Sequence, residues 1–237
     1  MRLLQMRTTL LAELNYGTTV SFTRCIEYVV TMDFVHPVAA VIPGAQGRVL
    51  ATLSETTAHL NLRTLARLSG VSIAQASRVL PGLVELGLVE RHEVPPSSQF
   101  RLVRTHVAAR AVLELAAAPA TVLVAIGQAA AALEIRPDSV IVFGSFARGE
   151  AGRESDLDAV FVRPDVIDED DAGWAASVEQ WRSTVRTLTG NPVEVLEVST
   201  SEARSRLDGN RRVWQDIRRD GRVVHGLTLE QLVTARE

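Results

Sequence analysis

Two aspartates separated by one residue are the side chains of this 237-residue chain best suited to chemistry. Asp156 and Asp158 lie at positions i and i+2, so on a strand both side chains project from one face. Two carboxylates held that close repel each other unless a cation lies between them. Mg²⁺ prefers oxygen ligands and is commonly bound together with substrate phosphates. The pair therefore predicts a site for two magnesium ions beside a phosphorylated substrate.

A second cluster, shortly before the aspartates, contains the residue types that bind phosphate. Gly144 follows a short apolar run and allows the backbone to approach a ligand without a Cβ clash. Ser145 opens a predicted short helix whose first amides favour phosphate, and Arg148 can add a charge-assisted hydrogen bond. We therefore predict that Gly144, Ser145 and Arg148 bind phosphate groups.

Together these two clusters resemble a known family. The segments Gly-Ser-Phe-Ala-Arg-Gly (144–149) and Ser-Asp-Leu-Asp (155–158) resemble the nucleotidyltransferase superfamily of DNA polymerase beta, most closely its minimal bacterial members. The likeness covers roughly residues 139–226, including a closing segment at 217–224. It implies Mg²⁺-dependent transfer of NMP to an acceptor hydroxyl, with AMP from ATP as the first candidate. It also implies that Gly144, Ser145 and Arg148 bind the nucleotide.

The resemblance further implies a third carboxylate on a neighbouring strand. Glu194 occupies the matching place and is our candidate for the third catalytic and metal-binding residue. Most relatives have Asp there, and the extra methylene of Glu moves the carboxylate by roughly 1 Å, a displacement large enough to reduce a reaction rate. Two alternatives thus stay open, an active transferase and a transcriptional regulator whose nucleotidyltransferase domain only binds or senses nucleotide.

The elements around these residues predict an α+β domain over residues 136–237. Short apolar runs at 140–143, 157–162 and 193–198 are typical of buried strands. Helical segments are predicted around 172–189 and 200–219. This mixed order indicates a small mixed sheet flanked by helices.

Residues 47–105 have a different pattern. Apolar residues at helical spacing precede a turn at Gly70, and Ser72 with Gln75 forms a capping-box pattern for a second helix. Pro81 lies inside that second helix and is expected to kink or shorten it. Two extended segments then flank a polar tip at 95–98. This order resembles the winged helix-turn-helix of transcriptional regulators.

That resemblance implies that the second helix enters the major groove of double-stranded DNA. The predicted DNA-binding residues are those at the start of that helix and those beside the hairpin: Ser72, Gln75, Ser77, Arg78, Arg91 and Arg101. Eight arginines and only four glutamates lie between Arg48 and Arg110, a basic segment in a chain of net charge −3. Winged helices also serve as protein-interaction or dimerisation modules, so a homodimer remains an open alternative.

The remaining segments and the composition complete the prediction. Residues 1–46 are predicted as an N-terminal extension, of which 1–31 precede Met32 as the suspected natural start. Residues 106–135 are predicted as linking helices broken near Pro119. The chain has 46% hydrophobic residues, 22% charged residues and one cysteine, which argues against disorder and a disulfide scaffold.

No apolar run approaches the ~20 residues needed to cross a bilayer, which predicts no membrane partner. The single cysteine fits a reducing compartment and predicts a cytoplasmic protein. By analogy with similar fusions, the sequence suggests a toxin–antitoxin-like system with a protein or RNA acceptor.

Overall fold

A computed structural model describes residues 31–234. Its N-terminal half is a helical unit closed by a three-stranded antiparallel sheet of order β1-β3-β2. The elements of this half are α1 (Pro37–Val41), α2 (Gly44–Ser54), β1 (Leu60–Asn61), α3 (Leu62–Leu68), α4 (Ile73–Glu85), β2 (Val89–Val94) and β3 (Ser97–Leu102). The predicted winged helix-turn-helix is confirmed, with α4 as its second helix and β2–β3 as its wing.

Helix α4 begins as the sequence predicts and ends later than Pro81 led us to expect. The Ser72 hydroxyl accepts from the amide of Gln75, and the Gln75 side chain accepts from the amide of Ser72, forming the capping box. The early end expected at Pro81 does not occur, because the helix runs through it to Glu85. The ring removes the hydrogen bond to the Ser77 carbonyl, but both residues are exposed, so water can satisfy that carbonyl.

One long helix, α5 (Val107–Ala131), connects the two halves of the chain. The predicted break near Pro119 was wrong, since α5 is continuous through it. Burial at both ends explains this: Ala109 and Val112 belong to the core of the helical unit, and Ile126 and Ala130 belong to the core of the second half. Tertiary packing therefore offsets the cost of one proline.

The expectation that no segment is long and apolar enough to cross a membrane was wrong by length and composition: helix α5 is, alone in this respect among residues 31–234. Its most apolar window has a mean hydropathy of 1.7. One such helix is weak evidence for a membrane span, and 17% of its most apolar window is buried within the protein. The buried residues of α5 lie in the two protein cores described above.

The second half is a four-stranded mixed sheet of order β6-β5-β4-β7, in which β5 and β6 are parallel and the other neighbours antiparallel. Its elements are β4 (Ser139–Phe143), α6 (Gly144–Arg148), β5 (Leu157–Arg163), α7 (Ala172–Thr189), β6 (Val193–Ser199), α8 (Thr200–Asp208), α9 (Arg212–Asp220), β7 (Arg222–Gly226) and α10 (Leu229–Thr234). The predicted α+β fold is confirmed. The helical region predicted at 200–219 is two helices, α8 and α9, separated near Gly209.

Both faces of this sheet are covered. On one face, the rings of Trp174 and Trp181 on α7 lie 5.6 and 5.0 Å from Phe161 of β5, measured between ring centroids. On the other face, Trp214 and Ile217 of α9 pack against Ile141 and Val160. Burial of large aromatic side chains on both faces fixes the strands and hence the edge at which they end.

Part of the predicted N-terminal extension packs into the two hydrophobic cores of the chain. Phe34 lies in the core of the sheet domain, while Val38 of α1 and Val49 of α2 lie in the core of the helical unit. Residues 32–46 thus pack against both halves of the chain. The interpretation of residues 1–31 as an over-extended reading frame lies outside the described residues, apart from residue 31, and stays a prediction.

Candidate nucleotide site and nucleic-acid interface

The candidate nucleotide site lies at one edge of the four-stranded sheet. Strand β4 ends there and runs into α6, while β5, β6 and β7 all begin there. The pairing register places Phe143 beside Asp158, Asp158 beside Glu194, and Val142 beside Arg222. The sequence-predicted residues of the glycine cluster and the carboxylate cluster therefore meet at this edge.

The three predicted carboxylates lie close enough to affect one another. Asp158 and Glu194 are register partners on neighbouring parallel strands, so their side chains leave the same face of the sheet. Asp156 lies two residues from Asp158, immediately before β5. Burial raises the pKa of Asp158, and the negative charges of Asp156 and Glu194 raise it further. Arg148 acts in the opposite direction.

The carboxylates of Asp156, Asp158 and Glu194 do not converge on a single point. No group of three His, Cys, Asp or Glu side chains within residues 31–234 is close enough to hold a metal as it stands. Asp156 and Glu194 are exposed, whereas Asp158 is half-buried. A cation at this edge would therefore draw the two solvent-exposed carboxylates toward the half-buried carboxylate of Asp158.

Gly144 forms the opposite wall of the cleft. Its φ is +70°, in the left-handed region, and a Cβ built on it would lie 2.5 Å from the Oδ2 of Asp158. Only glycine avoids both the strain and the contact. The sequence predicted a close backbone approach at this residue, and the structure shows that the approach is to the Asp158 carboxylate.

Arg148, predicted to bind phosphate, already has acidic partners in the structure. Its Nε donates to Glu150 Oε2 at 2.7 Å, and its Nη1 lies 3.9 Å from Asp220 Oδ2. The hydrogen bond from Arg148 to Glu150 is the main reason that the pKa of Arg148 is raised. A phosphate bound by Arg148 would replace these partners. Ser145, which precedes Phe146 on α6, is half-buried.

Two acidic features outside the predicted triad have structural roles. Glu197, on the opposite face from Glu194, accepts a hydrogen bond from Trp174 Nε1 at 2.9 Å. The acidic run at 168–171 is mostly exposed, and its last residue, Asp171, caps α7 by accepting from the Trp174 amide. Sequence analysis missed Asn191, which is fully buried beside the site; its position in a Gly-Asn-Pro turn indicated only a loop.

The candidate DNA-facing surface is formed by α4 and the wing. Ser77 and Arg78 are exposed on α4. Ser72 and Gln75 are exposed too, but each side chain is hydrogen-bonded to the backbone of the other in the capping box. The ion pairs among residues 31–234 leave Arg78 without an acidic partner. Arg78 is therefore the predicted DNA contact that the fold leaves most available.

The wing arginines are more engaged. Arg101 pairs with Glu90 at 2.6 Å, which also lowers the pKa of Glu90. Arg91 donates to Ser98 Oγ at 3.0 Å and lies 3.3 Å from Glu93. Both arginines are within the predicted set, and each would exchange or share an acidic partner on contacting a phosphate.

A groove of about 910 Å³ separates α4 from the wing. Its floor includes Leu80 and Phe100, and its walls include Ser77, Arg91 and Arg63. Arg63, on α3, was not among the sequence-predicted contacts and has no acidic partner among the described residues. The helical pattern of α3 could not mark Arg63 as a contact, because the groove is formed jointly by α3, α4 and the wing, which are separate in sequence.

Two different family models match the chain, one in each of the two halves described above. Residues 129–214 match the family model of the nucleotidyltransferase domain, and residues 47–93 match that of the IclR helix-turn-helix domain. The chain joins a helix-turn-helix domain to a nucleotidyltransferase domain. The nucleotidyltransferase match includes Gly144 and all three carboxylates, while the helix-turn-helix match includes α3 and α4.

A comparison with solved structures found a protein described as "Crystal structure of the toxin-antitoxin with AMP-PNP". The two chains are 15% identical, and the alignment covers 48% of this chain and 79% of the other, with a TM-score of 0.30. No curated protein matched the sequence. The family models therefore provide the assignment of the two domains.

Proposed function

We propose that the nucleotidyltransferase domain transfers NMP, with ATP as the first candidate donor, to an acceptor hydroxyl. The observation that carries this proposal is the register pair Asp158–Glu194, placed directly beside Gly144. This pair brings carboxylates from two strands to the glycine wall of one cleft. The match to the nucleotidyltransferase family model supports the same reading.

The chemistry of the three carboxylates fits magnesium. Asp156, Asp158 and Glu194 supply an all-oxygen donor set. The raised pKa of Asp158 reflects its burial first and then the negative charges of Asp156 and Glu194, which a cation would neutralise. These three residues would hold two Mg²⁺ ions. When bound, Mg²⁺ would stabilise negative charge on the phosphoryl oxygens of the nucleotide.

The residues of the chain then have separate tasks. The space left by the missing side chain of Gly144 admits the phosphates next to Asp158. Ser145 Oγ and the Arg148 guanidinium donate hydrogen bonds to the β- and γ-phosphates, with Arg148 exchanging Glu150 for phosphate oxygen. Glu194 orients the acceptor and takes the proton of the acceptor hydroxyl. The oxygen of that hydroxyl forms the new bond to the α-phosphorus. The bond to the bridging oxygen breaks, and pyrophosphate leaves.

Turnover tests this proposal directly. The full chain, incubated with α-labelled ATP, Mg²⁺ and an extract of the source cells, is expected to label a protein or RNA product and release pyrophosphate. The variant with Asp156→Ala and Asp158→Ala is expected to give no label. If the wild-type chain gives no labelled product and binds no Mg-ATP by calorimetry, the proposal is wrong.

A second candidate function is nucleotide sensing without transfer. Glu194 favours it, because a longer and exposed side chain stands where most members of the family have Asp. In that case, the chain would bind Mg-ATP and change its DNA affinity, but the labelling experiment would give no product. Binding without turnover thus separates the sensor from the enzyme.

We further propose that the helix-turn-helix domain binds double-stranded DNA in the cytoplasm. The N-terminal half of α4 would enter the major groove with Ser72, Gln75, Ser77 and Arg78 toward the bases. Arg91 and Arg101 would contact phosphates beside the wing, and Arg63 would contact phosphate across the groove. A DNA-binding domain linked to a transferase fits a self-regulating system of the toxin–antitoxin kind.

Arg78→Ala is expected to weaken binding to a duplex selected in vitro from a random library by about 10–100-fold, as loss of a base-reading arginine does. Arg63→Ala is expected to weaken all duplexes alike and to reduce the salt slope of the logarithm of affinity by about one. Fluorescence anisotropy at several salt concentrations measures both effects. Arg186→Ala, an exposed arginine on α7, serves as the control and is expected to change neither. Equal affinities for Arg78→Ala and Arg186→Ala would contradict the assignment.

A further inference from the structure

A buried amide connects three segments next to the candidate nucleotide site. Asn191, in the turn between α7 and β6, has no exposed surface. Its Nδ2 donates to the Ser155 carbonyl at 2.8 Å and lies 3.5 Å from the Gly152 carbonyl. Its Oδ1 accepts from the Met32 amide at 3.4 Å. One side chain therefore satisfies backbone groups from segments up to 159 residues apart.

The loop that Asn191 contacts leads directly to the first carboxylate. Residues 149–156 connect α6 to β5, and Asp156 is the last of them. Inside the loop, Gly152 N donates to Ser155 Oγ at 3.0 Å, and Ser155 N donates to the Gly152 carbonyl at 3.1 Å. Asn191 lies three residues before Glu194 in the chain. It thus joins the backbone next to Asp156 to the strand that presents Glu194.

Residues 32–34, which we call the strap, also contact the loop at 149–156. The Phe34 amide donates to the Ala151 carbonyl at 2.9 Å, in the middle of the loop. Phe34 is only 7% exposed, and its ring lies 5.3 Å from the ring of Phe146, measured between centroids. Phe146 follows Ser145 on α6, so the strap contacts both the loop that carries Asp156 and the helix that carries Ser145.

We propose that Asn191 and the strap form a positioning unit that sets where Asp156 stands relative to Asp158 and Glu194. The side chain of Asp156 is exposed, so its position depends on the backbone of Ser155. Loss of the Asn191 amide leaves the Ser155 carbonyl without its buried donor, and the loop relaxes to reach water. This inference rests on the proposed function, because it makes magnesium affinity depend on residues that touch neither metal nor nucleotide.

The test uses Asn191→Ala and Asn191→Asp in the full chain. Asn191→Asp keeps the acceptor for Met32 and loses the donor to Ser155. In calorimetric titrations with ATP, the Mg²⁺ concentration that gives half-maximal binding is expected to rise about tenfold or more in both variants, as for loss of an outer-shell partner. Affinity for ATP without Mg²⁺ is expected to stay unchanged. A general structural defect would not separate these two quantities.

Hydrogen exchange of the ligand-free chain gives a second readout. Amides of residues 152–157 are expected to exchange about tenfold faster or more in the Asn191 variants, with no change in α4. Val178→Ala is the matched control: Val178 is buried in the same core on α7, so its loss destabilises the domain without touching the loop. It is expected to lower the melting temperature and leave the Mg²⁺ requirement unchanged.

If Asn191→Ala fails to fold, Asn191→Asp and Phe34→Leu decide the question, since Phe34→Leu keeps an apolar side chain and loses the ring contact with Phe146. Folded variants with a Mg²⁺ requirement within twofold of wild type would overturn the inference. If the wild-type chain binds no Mg-ATP, the proposed function fails instead. The exchange rates of residues 152–157 then still decide whether Asn191 positions the loop.

Discussion

Replacing Asp158 with Asn is expected to make the protein more stable at pH 7 and, at the same time, to abolish Mg²⁺-dependent nucleotide binding. Burial and the charges of Asp156 and Glu194 raise the pKa of Asp158. The folded state therefore holds a proton on Asp158 more tightly than the unfolded state does. The free energy of unfolding then falls as pH rises from the ordinary pKa of Asp through the raised pKa. Asn at this position removes both the cost of burying the carboxylate charge and its repulsion by Asp156 and Glu194.

The loss of binding is expected to be large. Asp158 is the carboxylate closest to the glycine wall and the register partner of Glu194, so it is the residue that joins the two acidic strands. Removal of outer-shell partners alone typically costs about 10–100-fold in metal affinity. For this residue, we expect at least that loss, measured by calorimetry with ATP at fixed Mg²⁺.

Thermal unfolding at two pH values tests the stability part. The melting temperature of Asp158→Asn is expected to exceed that of wild type at pH 7. The gap is expected to close as the pH falls below the ordinary pKa of Asp, about 3.9, because the wild-type carboxyl then becomes protonated in both the folded and the unfolded state. Asp170→Asn, in the exposed acidic run, is the control and is expected to shift neither stability nor binding. An Asp158→Asn protein that is no more stable than wild type at pH 7, or that still binds Mg-ATP normally, would contradict the arrangement of the triad.

The parts of the fold that were predictable from sequence depend on local signals. The bounds predicted for the helix at 172–189 match α7, because Asp171 caps its first turn and Gly190 ends it in the left-handed conformation. The helix ends predicted from the two prolines were wrong, because distant packing outweighs these local signals. Pro81 and Pro119 are strong local signals, but burial of neighbouring apolar residues in two cores keeps α4 and α5 continuous.

The site shows the same division between local and distant information. Gly144, Asp156 and Asp158 are close in sequence, and their spacing indicated a shared cleft. Glu194 came only from the family resemblance, and the parallel register of β5 and β6 then placed it beside Asp158. The ion pair of Arg148 with Asp220 joins residues 72 positions apart, and no periodicity or spacing marks such a contact.

A comparison of two glycines separates backbone strain from the geometry of the cleft. Gly144 and Gly149 have φ values of +70° and +72°, so an alanine at either position carries the same left-handed strain, about 1–2 kcal/mol. A Cβ at Gly149 meets nothing within 4 Å, whereas a Cβ at Gly144 would lie 2.5 Å from Asp158 Oδ2. The carboxylate of Asp158 is the end of a short side chain, so it can rotate away and relieve that contact.

Gly144→Ala and Gly149→Ala are therefore expected to lower the free energy of unfolding by similar amounts and to differ in ligand binding. Only Gly144→Ala displaces the carboxylate that joins the two acidic strands, and we expect its affinity for Mg-ATP to fall about 100-fold, as displacements of about 1 Å do to rates. Denaturant unfolding and calorimetry measure the two quantities on the same samples. Equal binding losses in the two variants would mean that strain in the α6 segment, and not the position of Asp158, controls the site.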